Sequence, residues 1–210
     1  MGLKKKYLIA YNAASAAAWG VLLYQVAAVA NSEGPAAVGL KLDEYTRTTQ
    51  SFAVMEIVHS LLGVVPAPLF TTAMQVASRL ILVWGIAKPF PELNASPCYT
   101  SMLVAWSLSE VVRYGYFVLK LTGAVPFALH WLRYSAFLVL YPVGISSECA
   151  MMILAFRGPA ERLAPWYPWA LAGVLASYVP GSCILYTHML KQRNKYLGAT
   201  TPGKSAGQTR

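Results

Sequence analysis

The chain has 210 residues, of which 57% are hydrophobic and only 12% are charged. This apolar content exceeds that of ordinary soluble domains and is typical of membrane proteins. The net charge of +9 does not indicate a nucleic-acid-binding protein, because the lysines and arginines stand at the ends of apolar stretches instead of forming a basic face.

Six weakly charged stretches follow one another along the chain, and each is long enough for the roughly 20 apolar residues that cross a bilayer. They cover residues 7–30, 48–66, 69–87, 99–119, 126–156 and 166–190. We therefore expect an all-α, polytopic membrane protein, a bundle of six transmembrane helices joined by short loops rich in proline and glycine. The alternative, a large soluble helical core, leaves too little polar sequence to form its surface.

The basic residues predict how the chain is oriented. The first stretch begins with lysines like a secretory signal, but its apolar run exceeds the roughly 7–15 residues of a signal core, so we expect a retained helix. Nine Lys and Arg residues fall on the side of the N-terminus and five on the other, which predicts cytosolic N- and C-termini. We expect residues 1–197 to form one six-helix domain and the basic tail 198–210 to be disordered in the cytosol.

Several charged residues lie inside the apolar stretches, where each costs roughly 2.5–3.5 kcal/mol on insertion scales. Such residues require pairing in the bundle interior or a functional cavity. Glu110 and Arg113 are three residues apart and can neutralise one another on one helical face. Glu56 and His59 share this spacing, and a satisfied interior histidine is favoured over a metal ligand because no second His or Cys cluster accompanies it.

The third stretch carries Gln75 and Arg79, four residues apart. This spacing predicts a polar stripe that faces one neighbouring helix. Two roles remain open for it: an anchor for a polar group of a substrate, or a salt bridge to Glu56 or Glu148.

The fifth stretch contains an unusual polar pair in LYPVGISSE. Tyr141 and Glu148 are seven residues apart, so they return to nearly the same helical face about 10 Å apart along the axis. Gly144 lies between them and leaves a notch, and Pro142 removes one helical hydrogen bond, which predicts a kink. The spacing predicts a slot with an acid–base group at each end. A structural ion pair, a transporter and a proton relay remain open alternatives.

Over about residues 7–196 the chain resembles the very-long-chain (3R)-3-hydroxyacyl-CoA dehydratase family, and the motifs that carry the resemblance lie in the second to sixth stretches. They are EIVHSLLGVVP, MQVASRLILVWGI, VAWSLSEVVRYGYF, WLRYSAFLV, LYPVGISSE and ASYVPGSCILYTHMLKQR. The resemblance implies a six-span enzyme of the endoplasmic reticulum membrane that performs the third step of fatty acid elongation. It implies that Tyr141 and Glu148 form the active-site pair. The supporting residues that it implies are Glu56, Gln75, Arg79, Arg133 and Gly144.

The same family is also described as protein tyrosine phosphatase-like, for a segment that here is HSLLGVVP, residues 59–66. Ser60 and Pro66 stand where a phosphatase requires a nucleophilic cysteine and a phosphate-binding arginine. We therefore exclude phosphatase activity.

Dehydration of a 3-hydroxyacyl thioester requires one base at C2 and one acid at C3, and we expect no metal or redox cofactor. Desolvation makes a carboxylate a stronger base, so we assign C2 deprotonation to Glu148 and proton donation to Tyr141, although the reverse assignment remains open. Arg79, Arg133 and Gln75 are candidates to hold the thioester carbonyl, and Arg133 alternatively meets the CoA phosphates. We expect a deep cavity that opens to the cytosol.

The resemblance also implies partners. These are the very-long-chain 3-hydroxyacyl-CoA substrate, membrane lipid, and the other enzymes of the elongation complex, namely the condensing elongase, the 3-ketoacyl-CoA reductase and the trans-2-enoyl-CoA reductase. The alternative to a hydro-lyase is a catalytically inactive membrane scaffold of that complex or of other partners. Proton-coupled transport is a third hypothesis.

Overall fold

Helices contain nearly all of the residues that the computed structural model describes, which are residues 2–198. The α-helices are α1 (Leu3–Glu33), α2 (Pro35–Ser51), α3 (Val54–Leu61), α4 (Leu69–Leu80), α5 (Pro97–Thr122), α6 (Phe127–Ser135), α7 (Phe137–Arg157) and α8 (Tyr167–Gly198). A π-helical segment, Ile81–Ala87, continues α4, and two short 3₁₀ turns occupy Pro91–Ala95 and Pro159–Arg162.

These elements group into six rods, defined here as helical segments with at most a brief interruption: α1, α2 with α3, α4 with the π-helical segment, α5, α6 with α7, and α8. Two rods are only briefly interrupted, at Phe52–Ala53 and at Ala136. Pro142 lies within α7 without ending it, so the interruption falls six residues before the proline.

Four of the rods are long and apolar enough to cross a membrane: Leu3–Glu33, Leu69–Ala87, Phe127–Arg157 and Tyr167–Leu197. They correspond to the first, third, fifth and sixth predicted spans, which confirms an all-helical protein with membrane-spanning helices. The rods that correspond to the second and fourth predicted spans are not among these four.

The rod α5 is the centre of the bundle. It packs against α1, α2, α6 and α7, and its buried residues include polar ones such as Ser107 and Glu110. At 26 residues it extends about 39 Å. Because other helices surround α5, its polar side chains meet protein instead of lipid, and its sequence need not be uniformly apolar.

The second predicted span, 48–66, has the wrong boundaries. A single residue, Gly34 with φ of 89°, separates α1 from α2, and Pro35 occupies the first turn of α2, where proline is favoured. Residues 31–39, which the sequence predicts as a loop after the first span, are therefore helical apart from Gly34. The second rod ends at Leu61 instead of residue 66, and Gly63 in the following turn has φ of 63°.

The described part of α8 includes Gly198, the first residue of the predicted tail 198–210. The rest of the predicted tail lies outside the described residues.

Candidate active site

The carboxylate of Glu148 lies inside the bundle, where only 7% of the residue is exposed. Its Oε1 accepts a hydrogen bond from Nε1–H of Trp106 on α5 at 2.8 Å, and its Oε2 accepts one from the Tyr178 hydroxyl on α8 at 2.9 Å. Within residues 2–198, no Lys, Arg or His nitrogen lies within 4.0 Å of this carboxylate. Two neutral donors therefore orient Glu148, and it has no ion-pair partner in contact.

Tyr141 lies two turns before Glu148 on α7. Its hydroxyl donates to the backbone carbonyl of Ser182 at 3.2 Å, and its ring lies 5.9 Å from that of Tyr186. Ser182 is one turn after Tyr178 on α8, so Tyr141 and Glu148 both face α8, as their spacing predicts. Glu148 also lies close enough to Tyr141 to act on it electrostatically.

Gly144, between the pair, faces the central helix. A Cβ built at this buried position would lie 3.8 Å from the Cβ of Ala105 on α5. The predicted notch is therefore a place where α7 approaches α5 closely.

A chain of ion pairs joins three other helices beside the pair. Arg113 on α5 donates two hydrogen bonds to Glu56 on α3, at 2.7 and 2.6 Å, and a third to Glu110 at 2.6 Å. The second oxygen of Glu110 accepts from Arg79 on α4, and the Tyr114 hydroxyl donates to Glu56. Two arginines thus balance two glutamates. The predicted Glu110–Arg113 pair is confirmed, whereas Arg79 pairs with Glu110 and not with the two partners considered from the sequence.

Trp106 connects this chain to Glu148. The guanidinium carbon of Arg79 lies 5.0 Å from the centre of the Trp106 ring, a cation–π contact, while the indole N–H of the same side chain binds Glu148. Arg79 and Glu148 are close enough for their charges to interact. One guanidinium nitrogen of Arg79 binds Glu110, and the other two make no hydrogen bond to residues 2–198. Those two remain able to bind a substrate.

The remaining candidate residues lie elsewhere. Gln75 is exposed on α4. Arg133 on α6 lies over the ring of Phe117, 5.8 Å from its centre, and has no carboxylate partner among the described residues. His59 is buried and bonded to the Tyr7 hydroxyl at 2.7 Å, as expected for a satisfied interior histidine.

Sequence reasoning missed Trp106 and Tyr178, although both stand in the quoted motifs. The signal available for them was weak: a buried tryptophan or tyrosine usually finds a partner for its N–H or O–H group. That rule says a partner exists but does not identify it.

Two cavities stand out among the described residues, and neither is lined by Tyr141 or Glu148. One, of about 470 Å³, lies between the π-helical segment and the first turns of α8, and the other, of about 250 Å³, lies on the last turns of α8. These two cavities lie on either side of the pair along α8, and neither is the deep cavity predicted from the sequence.

The family model for protein tyrosine phosphatase-like protein, PTPLA, matches residues 50–199. The chain belongs to this family. A relative in Schizosaccharomyces pombe, named probable very-long-chain (3R)-3-hydroxyacyl-CoA dehydratase, is 39% identical over 200 residues, which cover 92% of this chain and 93% of the relative. The rice dehydratase PASTICCINO 2B is 38% identical, covering 93% of this chain and 94% of its own. Human very-long-chain (3R)-3-hydroxyacyl-CoA dehydratase 2 is 29% identical, covering 96% and 85%. No solved structure matches.

The matched region contains every candidate residue from Glu56 to Tyr178. It also contains the segment behind the phosphatase-like description, where Ser60 donates a hydrogen bond to the Ala67 carbonyl at 2.7 Å. Ser60 therefore closes the turn between α3 and α4, a structural role in this member of the PTPLA family.

Proposed function

We propose that the protein is a hydro-lyase that removes water from very-long-chain (3R)-3-hydroxyacyl-CoA and forms trans-2-enoyl-CoA, the third step of the fatty acid elongation cycle. The observation that carries the proposal is the buried, oriented Glu148 carboxylate without an ion-pair partner, which faces α8 together with Tyr141. Relatives named for this activity align with nearly the whole chain.

The reaction needs a base at C2 and an acid at C3. Glu148 removes the C2 proton, the electrons of that C–H bond form the C2=C3 double bond, and the C3–O bond breaks. Tyr141 gives its phenolic proton to the departing oxygen, which leaves as water. A proton then passes from Glu148 to the Tyr141 phenolate and restores both groups. We assign the base to Glu148 because two neutral donors orient its carboxylate and no cation neutralises it.

Negative charge develops on the thioester oxygen as the C2 proton leaves. Arg79 supplies the nearest guanidinium, and its two unbonded nitrogens can donate to that oxygen. Fixed donors of this kind often provide a large part of catalysis, because they need no reorganisation during the reaction. Glu110 and Trp106 hold Arg79 in place.

We further propose that all six rods cross the endoplasmic reticulum membrane with both termini in the cytosol, and that residues 1–197 act as one domain. The position of α5 inside the bundle supports a membrane-spanning role despite its polar residues. The distribution of Lys and Arg supports the orientation. We also propose the condensing elongase and the two reductases of the cycle as neighbours of the protein.

Purified protein given a very-long-chain (3R)-3-hydroxyacyl-CoA tests the proposal. We expect formation of trans-2-enoyl-CoA, with kcat lowered about 100-fold or more by Glu148→Gln and by Tyr141→Phe. Glu161→Gln and Tyr24→Phe make the same chemical changes at exposed positions and should retain activity. Full activity in either site variant rejects the assigned pair, and wild-type protein without turnover that still binds elongation enzymes supports a scaffold instead.

A further inference from the structure

The helix α8 presents three chemically different surfaces in order along its length. The apolar groove, defined here by Leu80, Trp84, Gly85, Tyr167, Ala170 and Val174, lies at its start. Tyr178 and Ser182, the partners of the candidate pair, lie in the middle. The basic patch, defined here by His188, Lys191, Gln192, Lys195 and Tyr196, lies at its end.

The apolar groove begins beside the candidate active site. Leu80 directly follows Arg79, and Val174 is one turn before Tyr178. At the other end of the groove, the Tyr167 hydroxyl donates to the Gly85 carbonyl, and a Cβ at position 85 would lie 2.9 Å from that hydroxyl. The π-helical geometry, which is frequent at functional sites, and the missing side chain at position 85 together allow this contact.

The basic patch has no acidic residue to neutralise it. The sequence has no Asp or Glu after Glu161 and none between Glu110 and Glu148. Lys191 and Lys195 form no salt bridge within residues 2–198. A concentration of positive charge without counter-charges attracts an anionic ligand such as a phosphate.

The groove and the patch lie on the same side of α8. Ala170 and His188 are 18 residues apart, as are Val174 and Gln192, and this separation equals about five full helical turns. That side is also accessible, because α4 packs against α2 and α3 and not closely against α8. A ligand can therefore lie along α8 on the side of α4, and at Tyr141 and Glu148 it enters where α7 packs against α8.

The spacing along α8 matches the dimensions of an acyl-CoA. Lys191 is nine residues after Ser182, about 14 Å along the axis. In CoA, about 13 bonds separate the thioester sulfur from the nearest phosphate, which is about 15 Å when extended. The groove extends from about 6 to about 16 Å beyond Tyr178 in the opposite direction.

We propose that one acyl-CoA lies along this side of α8, with its phosphates on the basic patch, C2 and C3 at Tyr141 and Glu148, and its acyl tail in the apolar groove. The inference rests on the proposed function and adds to it the residues that hold the two ends of the substrate. From the end of α8 towards its start, the patch, the candidate pair and the groove follow one another in the same order as the phosphates, the reacting carbons and the tail of the substrate.

Four substrates and four variants test the inference in nanodiscs. The substrates are a long-chain and a short-chain 3-hydroxyacyl group, each as the CoA thioester and as the pantetheine thioester, which lacks the nucleotide and its phosphates. Ala170→Phe fills the groove, and Ala176→Phe is its matched control on an exposed face of α8. The double variant Lys191→Gln/Lys195→Gln neutralises the patch, and Lys5→Gln/Lys6→Gln removes two charges elsewhere.

We expect Ala170→Phe to lower the ratio of long-chain to short-chain kcat/KM about tenfold, the equivalent of about two methylene groups displaced from the groove. We expect the patch variant to lower the ratio of CoA to pantetheine kcat/KM about tenfold or more, because charge-assisted hydrogen bonds are lost. These ratios do not depend on the fraction of folded enzyme.

Unchanged ratios, or equal shifts in the matched controls, overturn the inference. The patch variant can also lower kcat/KM equally for CoA and pantetheine substrates, and only when anionic lipid is present. That result assigns the patch to lipid headgroups and overturns the inference. If the wild-type protein turns over none of the four substrates, the proposed function itself fails. Turnover of all four with unchanged ratios contradicts the binding mode alone.

Discussion

Replacement of Trp106 by phenylalanine tests whether the Glu148 carboxylate must be held in place for catalysis. Trp106 is only 2% exposed, and its N–H donates to Glu148 at 2.8 Å. A hydrogen bond to a charged acceptor contributes about 1.5–3 kcal/mol. If that energy positions the base in the transition state, its loss lowers kcat by about 10- to 150-fold. The phenylalanine ring keeps an aromatic face for Arg79, so the cation–π contact is largely retained.

The assay is steady-state turnover of a long-chain 3-hydroxyacyl-CoA by purified protein. We expect kcat to fall while KM changes little, because the lost interaction acts on the reacting centre and not on the bound tail. Trp169→Phe is the matched control, since Trp169 is 75% exposed. Tyr178→Phe removes the second donor to Glu148 with almost no change in volume, so it separates loss of the donor from loss of packing. Wild-type kcat in both donor variants would refute the reasoning.

Two further predictions concern stability, measured as thermal unfolding in detergent. Glu110→Gln leaves two half-buried guanidinium groups without their shared, buried carboxylate and should destabilise the fold by about 3–5 kcal/mol. Glu92→Gln breaks only an exposed pair and should change stability by less than about 1 kcal/mol, so equal effects would contradict the internal ion-pair chain. Gly39→Ala places a Cβ against the backbone carbonyl of Asn94 in the first 3₁₀ turn and should destabilise by about 1–3 kcal/mol or more. Gly20→Ala is the control: its Cβ has open space, and the change should be neutral or stabilising. If Gly39→Ala is as stable as the wild type, α2 does not contact that turn.

The sequence predicts which stretches are helical better than it predicts where they end. The fourth predicted span, 99–119, lies within α5, but no feature of that stretch alone identifies α5 as the central helix. The predicted boundaries of the second span differ from the helix because the spans are delimited by weak charge, and the residues just before position 48 include Lys41, Asp43, Glu44 and Arg47. The signal for the correct start, a glycine followed by proline at the first helical turn, was present in Gly34 and Pro35.

The candidate site is also predicted only in part: the sequence predicts which residues of one helix share a face, but not which residues of other helices they contact. The seven-residue spacing of Tyr141 and Glu148 predicts that they face one neighbour, and helical periodicity alone is sufficient for that. The donors Trp106 and Tyr178 come from two other helices. Their identity depends on which helices are adjacent and how they are rotated, which no spacing within one helix determines. The same limit explains why Arg79 was not assigned to Glu110.

The balance of charge inside the bundle sets Glu148 apart from the other internal acids. The five charged side chains concerned are Glu56, Glu110, Glu148, Arg79 and Arg113. The two arginines compensate Glu56 and Glu110, which leaves Glu148 without a matching cation. Burial of a carboxylate without a cation in contact is unfavourable, and the two neutral donors orient Glu148 without neutralising it. Packing alone gives no reason for such a group, since a leucine or glutamine would be less costly to bury. A base that must accept a proton from carbon does require a carboxylate without a cation in contact. An arginine in contact would stabilise the carboxylate and weaken it as a base. We therefore propose a second role for the Arg79–Glu110 ion pair: it holds the guanidinium near Glu148 but out of contact with its carboxylate.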